Sequence, residues 1–323
     1  MAALIGLLLR VLIRPRPSFA DTKGSMVPAK TRTSRLALAV SVCVLGALAL
    51  FVAVDRGPST GAETVSAQPL ASQEKSILHR AEQILLRACM ADSGYTYVMV
   101  EEEPMSFLRR FPYVVDDLSW AREHGFGNDD REEVRMRAEN DPNKRYFSGL
   151  SAADKAKALA AVNGERPVGL IATSPAGVEI TRSDRGCTSQ LEKKLYRELQ
   201  TWFRAKTVTD GLHVPRRQQV SVDPRFRTAL SDWARCMAER GYSFAAPARV
   251  HEAFRVRGPE EISAAIAEAT CARSTGFASV ARDLDAHYEA LQGQQYGREI
   301  ADRLRLERAA LPLARAVVES RSR

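Results

Sequence analysis

The chain has 323 residues, enough for one large or two ordinary domains, and its 45% hydrophobic content is that of a folded protein rather than a disordered one. A net charge of +8 suggests a nucleic-acid or anionic-membrane partner, yet residues 1–35 hold seven Lys and Arg against one Asp, which leaves +2 for the other 288 residues. An excess confined to one terminus removes the basic face that nucleic-acid binding needs, so no nucleic-acid partner is expected.

In chain order, residues 1–35 read as a basic cytoplasmic N-terminus and residues 36–54 as a transmembrane helix. The latter are nineteen residues without a charge, long enough to cross a hydrocarbon core at about 1.5 Å per residue. They are apolar all round, unlike a buried core helix. Lys30, Arg32 and Arg35 keep their own side in the cytoplasm and put the bulk of the chain outside. Val65-Ser66-Ala67 has the small-residue look of a cleavage site but lies far beyond the apolar run. Cys43 follows Val42 rather than a small residue, which spoils a lipoprotein signal. An uncleaved anchor is therefore expected, with a secreted product as the alternative. Met26 offers a second start with a more compact leader. Residues 55–72, rich in Ser, Thr, Gly, Ala and Pro, form a flexible linker.

The first half spans 73–209. Ile77, Leu78, Ala81, Ile84, Leu85, Ala88 and Cys89 share one helical face and predict a helix to about Asp92. Residues 95–100, Tyr-Thr-Tyr-Val-Met-Val, are β-prone and predict a strand. Residues 101–145 read as irregular, and a stretch that long inside a domain is either functional or hides structure. Ser151-Ala152-Ala153-Asp154 is a capping box for a helix closed by Asn163-Gly164. Residues 168–173 and 178–181 flank Ser174-Pro175-Ala176-Gly177 as a β-hairpin. Gly186-Cys187 opens a helix to about Ala205. Residues 210–222, polar and containing Pro215, read as a connector to the second half at 223–323. There Asp223 caps a helix with Pro224 at its first position, followed by helices from Pro259 and from about Tyr296. The fold class expected is mainly α: two disulfide-stapled helical halves, the first with a small β element, behind one transmembrane helix.

Two stretches match in register: Cys89-Met90-Ala91-Asp92-Ser93-Gly94-Tyr95 and Cys236-Met237-Ala238-Glu239-Arg240-Gly241-Tyr242, with a weaker copy at Cys271…Gly276-Phe277. Gly94 and Gly241 fall where a left-handed residue ends a helix, and Met90 with Tyr95, like Met237 with Tyr242, would form the accompanying apolar contact. Outside a membrane cysteines pair. Cys89, Cys187, Cys236 and Cys271 allow three connectivities; Cys89–Cys187 with Cys236–Cys271 gives each half its own bridge. Neither CxxC nor HExxH occurs and the five histidines are scattered, so no metal, no cofactor and no catalytic residue is assigned. Spacings of 98 and 35 residues do not suggest a redox dithiol.

The Cys-Met-x-x-x-Gly-Tyr stops, Trp120-Ala121…His124-Gly125-Phe126-Gly127, Asp141-Pro142-Asn143…Tyr146 and Cys271…Gly276-Phe277 together resemble a group of extracytoplasmic, membrane-anchored or lipoprotein-like proteins of high-GC actinomycete bacteria. The resemblance spans about residues 75–310. It implies an exported, disulfide-bonded chain and brings no chemistry with it.

The function expected is a membrane-anchored extracytoplasmic binding or interaction protein of the bacterial cell envelope. Its partners would be the membrane, through residues 36–54, and a cell-envelope protein or polymer. The surface would be residues 101–145, with Trp120, His124 and Phe126 as exposed anchors, since binding residues gather on loops over rigid scaffolds. The competing expectation packs Trp120 and Phe126 on the core. The alternative function is a cell-envelope hydrolase using His124 with Glu123, Asp129 and Asp130, for which acid–base catalysis needs two groups of separated pKa around a substrate. No GxSxG or glycine-rich phosphate loop accompanies them.

Overall fold

The computed structural model describes residues 68–100 and 111–320. The stretches expected to form the cytoplasmic N-terminus and the transmembrane helix, nearly all of the linker, and residues 101–110 lie outside the described residues. No described helix is long and apolar enough to cross a membrane.

The helices are α1 (Ser72–Asp92), α2 (Leu118–His124), α3 (Asn128–Glu139), α4 (Pro142–Gly149), α5 (Ala152–Asn163), α6 (Cys187–Tyr196) and α7 (Leu199–Gly211). They continue as α8 (His213–Val222), α9 (Pro224–Glu239), α10 (Pro247–Ala253), α11 (Pro259–Ser274), α12 (Phe277–Gln295) and α13 (Gly297–Glu319). The strands β1 (Gly169–Thr173) and β2 (Glu179–Ser183) form an antiparallel hairpin with Gly169 opposite Ser183. The described residues are thus mainly α with one small hairpin and two disulfides. Cys89–Cys187 and Cys236–Cys271 each hold Cα atoms 5.7 Å apart.

Both Cys-Met copies end their helices alike. Tyr95 N–H donates to Met90 O at 2.9 Å and Gly94 N–H to Ala91 O at 2.9 Å, with Gly94 at φ +83°. Tyr242 N–H donates to Met237 O at 2.9 Å and Gly241 N–H to Ala238 O at 3.0 Å, with Gly241 at φ +87°. This is the double-bonded helix stop that a glycine past the C-cap permits. The Asp223 carboxylate caps α9 by accepting from Arg225 N–H at 2.8 Å.

Beside a small cluster of Leu170, Ala172 and Phe203 between the hairpin and α7, the described residues form two larger apolar cores, and neither follows chain order. One joins Leu78 and Ala81 of α1, Leu191 and Leu195 of α6, and Trp202 of α7 to Leu306, Ala310 and Leu311 of α13. The other joins Val115, Ala121 and Phe126 to Trp233, Met237, Ala265, Phe277 and Leu284. The last helix therefore closes a core begun by the first, and residues 114–126 enter the core built by α9 to α12. Core membership crosses residues 210–222 in both directions. That stretch is no polar connector but the helix α8, with Val220 fully buried; Pro215 sits in its first turn, where a missing N–H costs nothing.

Three further expectations are corrected. Residues 95–100 pair with no strand among the described residues. Instead, the Asn143 side chain stands in for a strand partner: Val98 N–H donates to Asn143 Oδ1 and Asn143 Nδ2 to Val98 O, both at 2.8 Å. Tyr146 OH accepts Thr96 N–H at 3.2 Å. The helix from Cys187 breaks at Arg197, a non-glycine at φ +61°, where Glu198 N–H donates to Tyr196 O at 2.7 Å in a tight three-residue turn. The stacking of Tyr196 on Trp202, 3.5 Å between centroids, holds the two helices across that break. The described part of residues 101–145 is mostly helical, in α2, α3 and the start of α4.

Candidate functional site

The Asp117 carboxylate starts α2 by accepting from Ser119 N–H at 2.9 Å and Trp120 N–H at 3.0 Å. The chain then turns at Gly125 (φ +58°, ψ −124°) and Gly127 (φ +70°) and lies against α11. A Cβ on Gly125 would stand 2.2 Å from the Glu261 carboxylate, so the approach is open to glycine alone. Glu261 is 1% exposed. Its Oε1 accepts from Phe126 N–H at 2.6 Å and Asn128 Nδ2 at 3.1 Å, and Asn128 Nδ2 also reaches Phe254 O at 2.8 Å. Burial holds the Glu261 carboxyl above the ordinary carboxylate range, against the Phe126 N–H that favours its charged form.

Two turns further along the same helix, Glu268 is fully buried. It accepts Val115 N–H at 2.8 Å and lies 3.0 Å from His251 Nε2 on α10. The His251 ring packs on Phe126, 4.3 Å between centroids. A carboxylate without solvent needs a charged or donating partner; His251 and the Val115 amide both meet Oε1, while buried Oε2 has no hydrogen-bond partner among the described residues.

In front of His251 opens a cleft of about 380 Å³ lined by Asn128, Arg131, Glu132 and Arg135 of α3, and by His251, Glu252 and Arg255. The α3 wall buries none of its residues. It is stiffened by i,i+3 and i,i+4 pairs, Arg135 with Glu132, Arg135 with Glu139 at 2.7 Å and Arg137 with Glu133 at 2.6 Å, each of modest worth at a surface. Glu252 pairs with Arg249 at 2.8 Å.

The residues singled out from sequence divide. Phe126 is 5% exposed in the core, so it is no surface anchor; its amide is drawn inward by Glu261. Trp120 is half-buried, stacked on His124 with centroids 4.0 Å apart and beside Phe111 at 5.8 Å. His124 keeps a 29% exposed side chain 3.7 Å from Glu123, while Asp129 turns to Arg257 at 3.7 Å. The histidine that meets a buried acid in a cleft is His251, which sequence reasoning passed over. The legible signal was on α11, where Glu261, Ala264, Ala265, Glu268 and Ala272 share one helical stripe; two carboxylates on an apolar face ask for buried partners. Among the described residues no group of three His, Cys, Asp or Glu side chains converges as a metal set.

A second polar cluster lies in the other core. Tyr196 OH donates to Glu82 Oε1 at 2.6 Å, and Arg182 pairs with buried Glu192. Burial, the largest effect, pushes the Glu82 carboxyl up to about 7. Helices α1 and α6 meet here under the Cys89–Cys187 bridge.

Comparison with protein-family models, with curated proteins and with solved structures finds no match to this chain.

Proposed function

We propose that the protein is a binding module of the bacterial cell envelope, held outside the cytoplasm by the apolar stretch at 36–54, with the α3–α10 cleft as its ligand face. The observation that carries this reading is the pair of disulfides, which closes loops of 98 and 35 residues. Bridges of this kind persist in oxidising compartments and are reduced in the cytosol. The cleft supports the binding half of the reading: it falls in the size range of small-ligand sites, and one wall carries His251, whose Nε2 lies 3.0 Å from the buried Glu268 carboxylate.

The test uses the full-length chain, taken from cells with thiols blocked at lysis and mapped without reduction. Oxidised Cys89–Cys187 and Cys236–Cys271, together with co-sedimentation on isolated cell envelopes, are expected. Four alkylated thiols, or no retention by envelopes, would sink the reading.

A further inference from the structure

We infer that the cleft between α3 and α10 is a phosphoryl-binding site whose donors are Arg131, Arg255 and His251. This deepens the binding reading above and rests on it for the ligand's origin.

The lining carries Arg131, Arg135 and Arg255 against Glu132 and Glu252, and the charges are not equally engaged. Glu132 is taken by Arg135, and Glu252 by Arg249 at 2.8 Å from outside the cleft. Both lining carboxylates are therefore already neutralised. Arg131 is bonded to the neutral side chain of Asn128, and Arg255 uses Nε on the Glu252 carbonyl at 3.1 Å. Neither guanidinium has a carboxylate bonded to it among the described residues. Two exposed guanidinium forks on opposite walls of one cavity suit an oxyanion, because each fork donates in parallel to two oxygens. The three terminal oxygens of a phosphoryl group serve both forks when the forks share one of them.

His251 supplies the third donor. Its Nε2 is engaged with Glu268 at 3.0 Å, which leaves Nδ1 for a ligand in the cleft. Glu268 is fully buried behind the ring and holds its Nε2, which fixes the ring in the cleft wall. The Asn128 side chain, pinned on Phe254 O at 2.8 Å, fixes the start of α3 and with it the position of Arg131 one turn on.

Titration calorimetry of the full-length chain in a phosphate-free buffer tests the site, with inorganic phosphate, glycerol 3-phosphate and acetate as probes. Saturable one-to-one binding of inorganic phosphate is expected, with a Kd on the order of 1 mM. Arg131→Ala and Arg255→Ala should each weaken it about tenfold or more, and Arg255→Lys, which keeps the charge but loses the fork, should weaken it too. Arg235→Ala, at an exposed pair with Asp232 far from the cleft lining, should change nothing. Tighter binding of glycerol 3-phosphate identifies an organic phosphomonoester, and equal binding identifies free phosphate; both uphold the site. No saturable heat with phosphate, acetate bound as tightly, or an equal loss in Arg235→Ala overturns it. Retention on envelopes without phosphate binding would sink this inference alone, whereas phosphate binding by a chain with free thiols and no envelope retention would sink the envelope reading alone.

Discussion

Replacing Gly125 by Ala tests how the cleft is anchored to the core. Gly125 sits at φ +58° and ψ −124°, a region that residues with a Cβ enter at a cost of about 1–3 kcal/mol. The new methyl would also stand 2.2 Å from the Glu261 carboxylate, which is 1% exposed and holds Phe126 N–H at 2.6 Å. The carboxylate must move, and an amide left unpaired in the core costs about 1–3 kcal/mol more. The loss expected is therefore about 4 kcal/mol. Gly94→Ala is the matched control: it has φ +83° but nothing within 4 Å of a new Cβ, so only the backbone cost of about 1–2 kcal/mol applies. Chemical denaturation of both variants, followed by far-ultraviolet circular dichroism, measures the difference. A Gly125→Ala loss no larger than that of Gly94→Ala would refute the Glu261 contact as the anchor of this turn.

Other outcomes follow from the same coordinates. Removing either disulfide by paired Cys→Ser substitution should cost about 4 to 5 kcal/mol by the loop-entropy model, with Cys89–Cys187, closing the longer loop, costing more in denaturant titrations. Glu82 carries a folded-state pKa of about 7, above its ordinary 4.5. The unfolded chain therefore ionises first, and stability is full below about pH 4.5 and falls as pH rises towards 7, by at most about 1.4 kcal/mol per pH unit. Glu82→Gln should flatten that slope, and an unchanged pH profile would count against it. Leu306→Ala, on the last helix but buried against α1 and α6, should cost about 2–5 kcal/mol; a loss below 1 kcal/mol in the same titration would mean that α13 does not close the first core. Glu268→Gln should shift the imidazole resonances of His251 in nuclear magnetic resonance spectra at fixed pH, and a His251 signal indifferent to it would remove Glu268 as its partner.

What the sequence determined alone was local. A helix stop needs only a glycine at the right offset, so Gly94 and Gly241 with Met90–Tyr95 and Met237–Tyr242 were readable, as were the Asp223 cap, the Ser151 cap of α5 and the hairpin around Ser174–Gly177. Counting narrows the Cys pairing to three choices, and the sequential one expected from the sequence, Cys89–Cys187 with Cys236–Cys271, is the one formed. Tertiary structure alone decided the rest. Residues 95–100 had every mark of a strand, but a strand needs a backbone partner, and the Asn143 amide took that place 45 residues on. Trp120, His124 and Phe126 lie within seven residues of one another, yet only packing could say that Phe126 turns inward to Glu261. His251 and Glu268 come from separate helices, and their pairing becomes visible only where two faces meet: hydrogen bonds within a helix are written in spacing, whereas those between helices depend on how the helices are stacked.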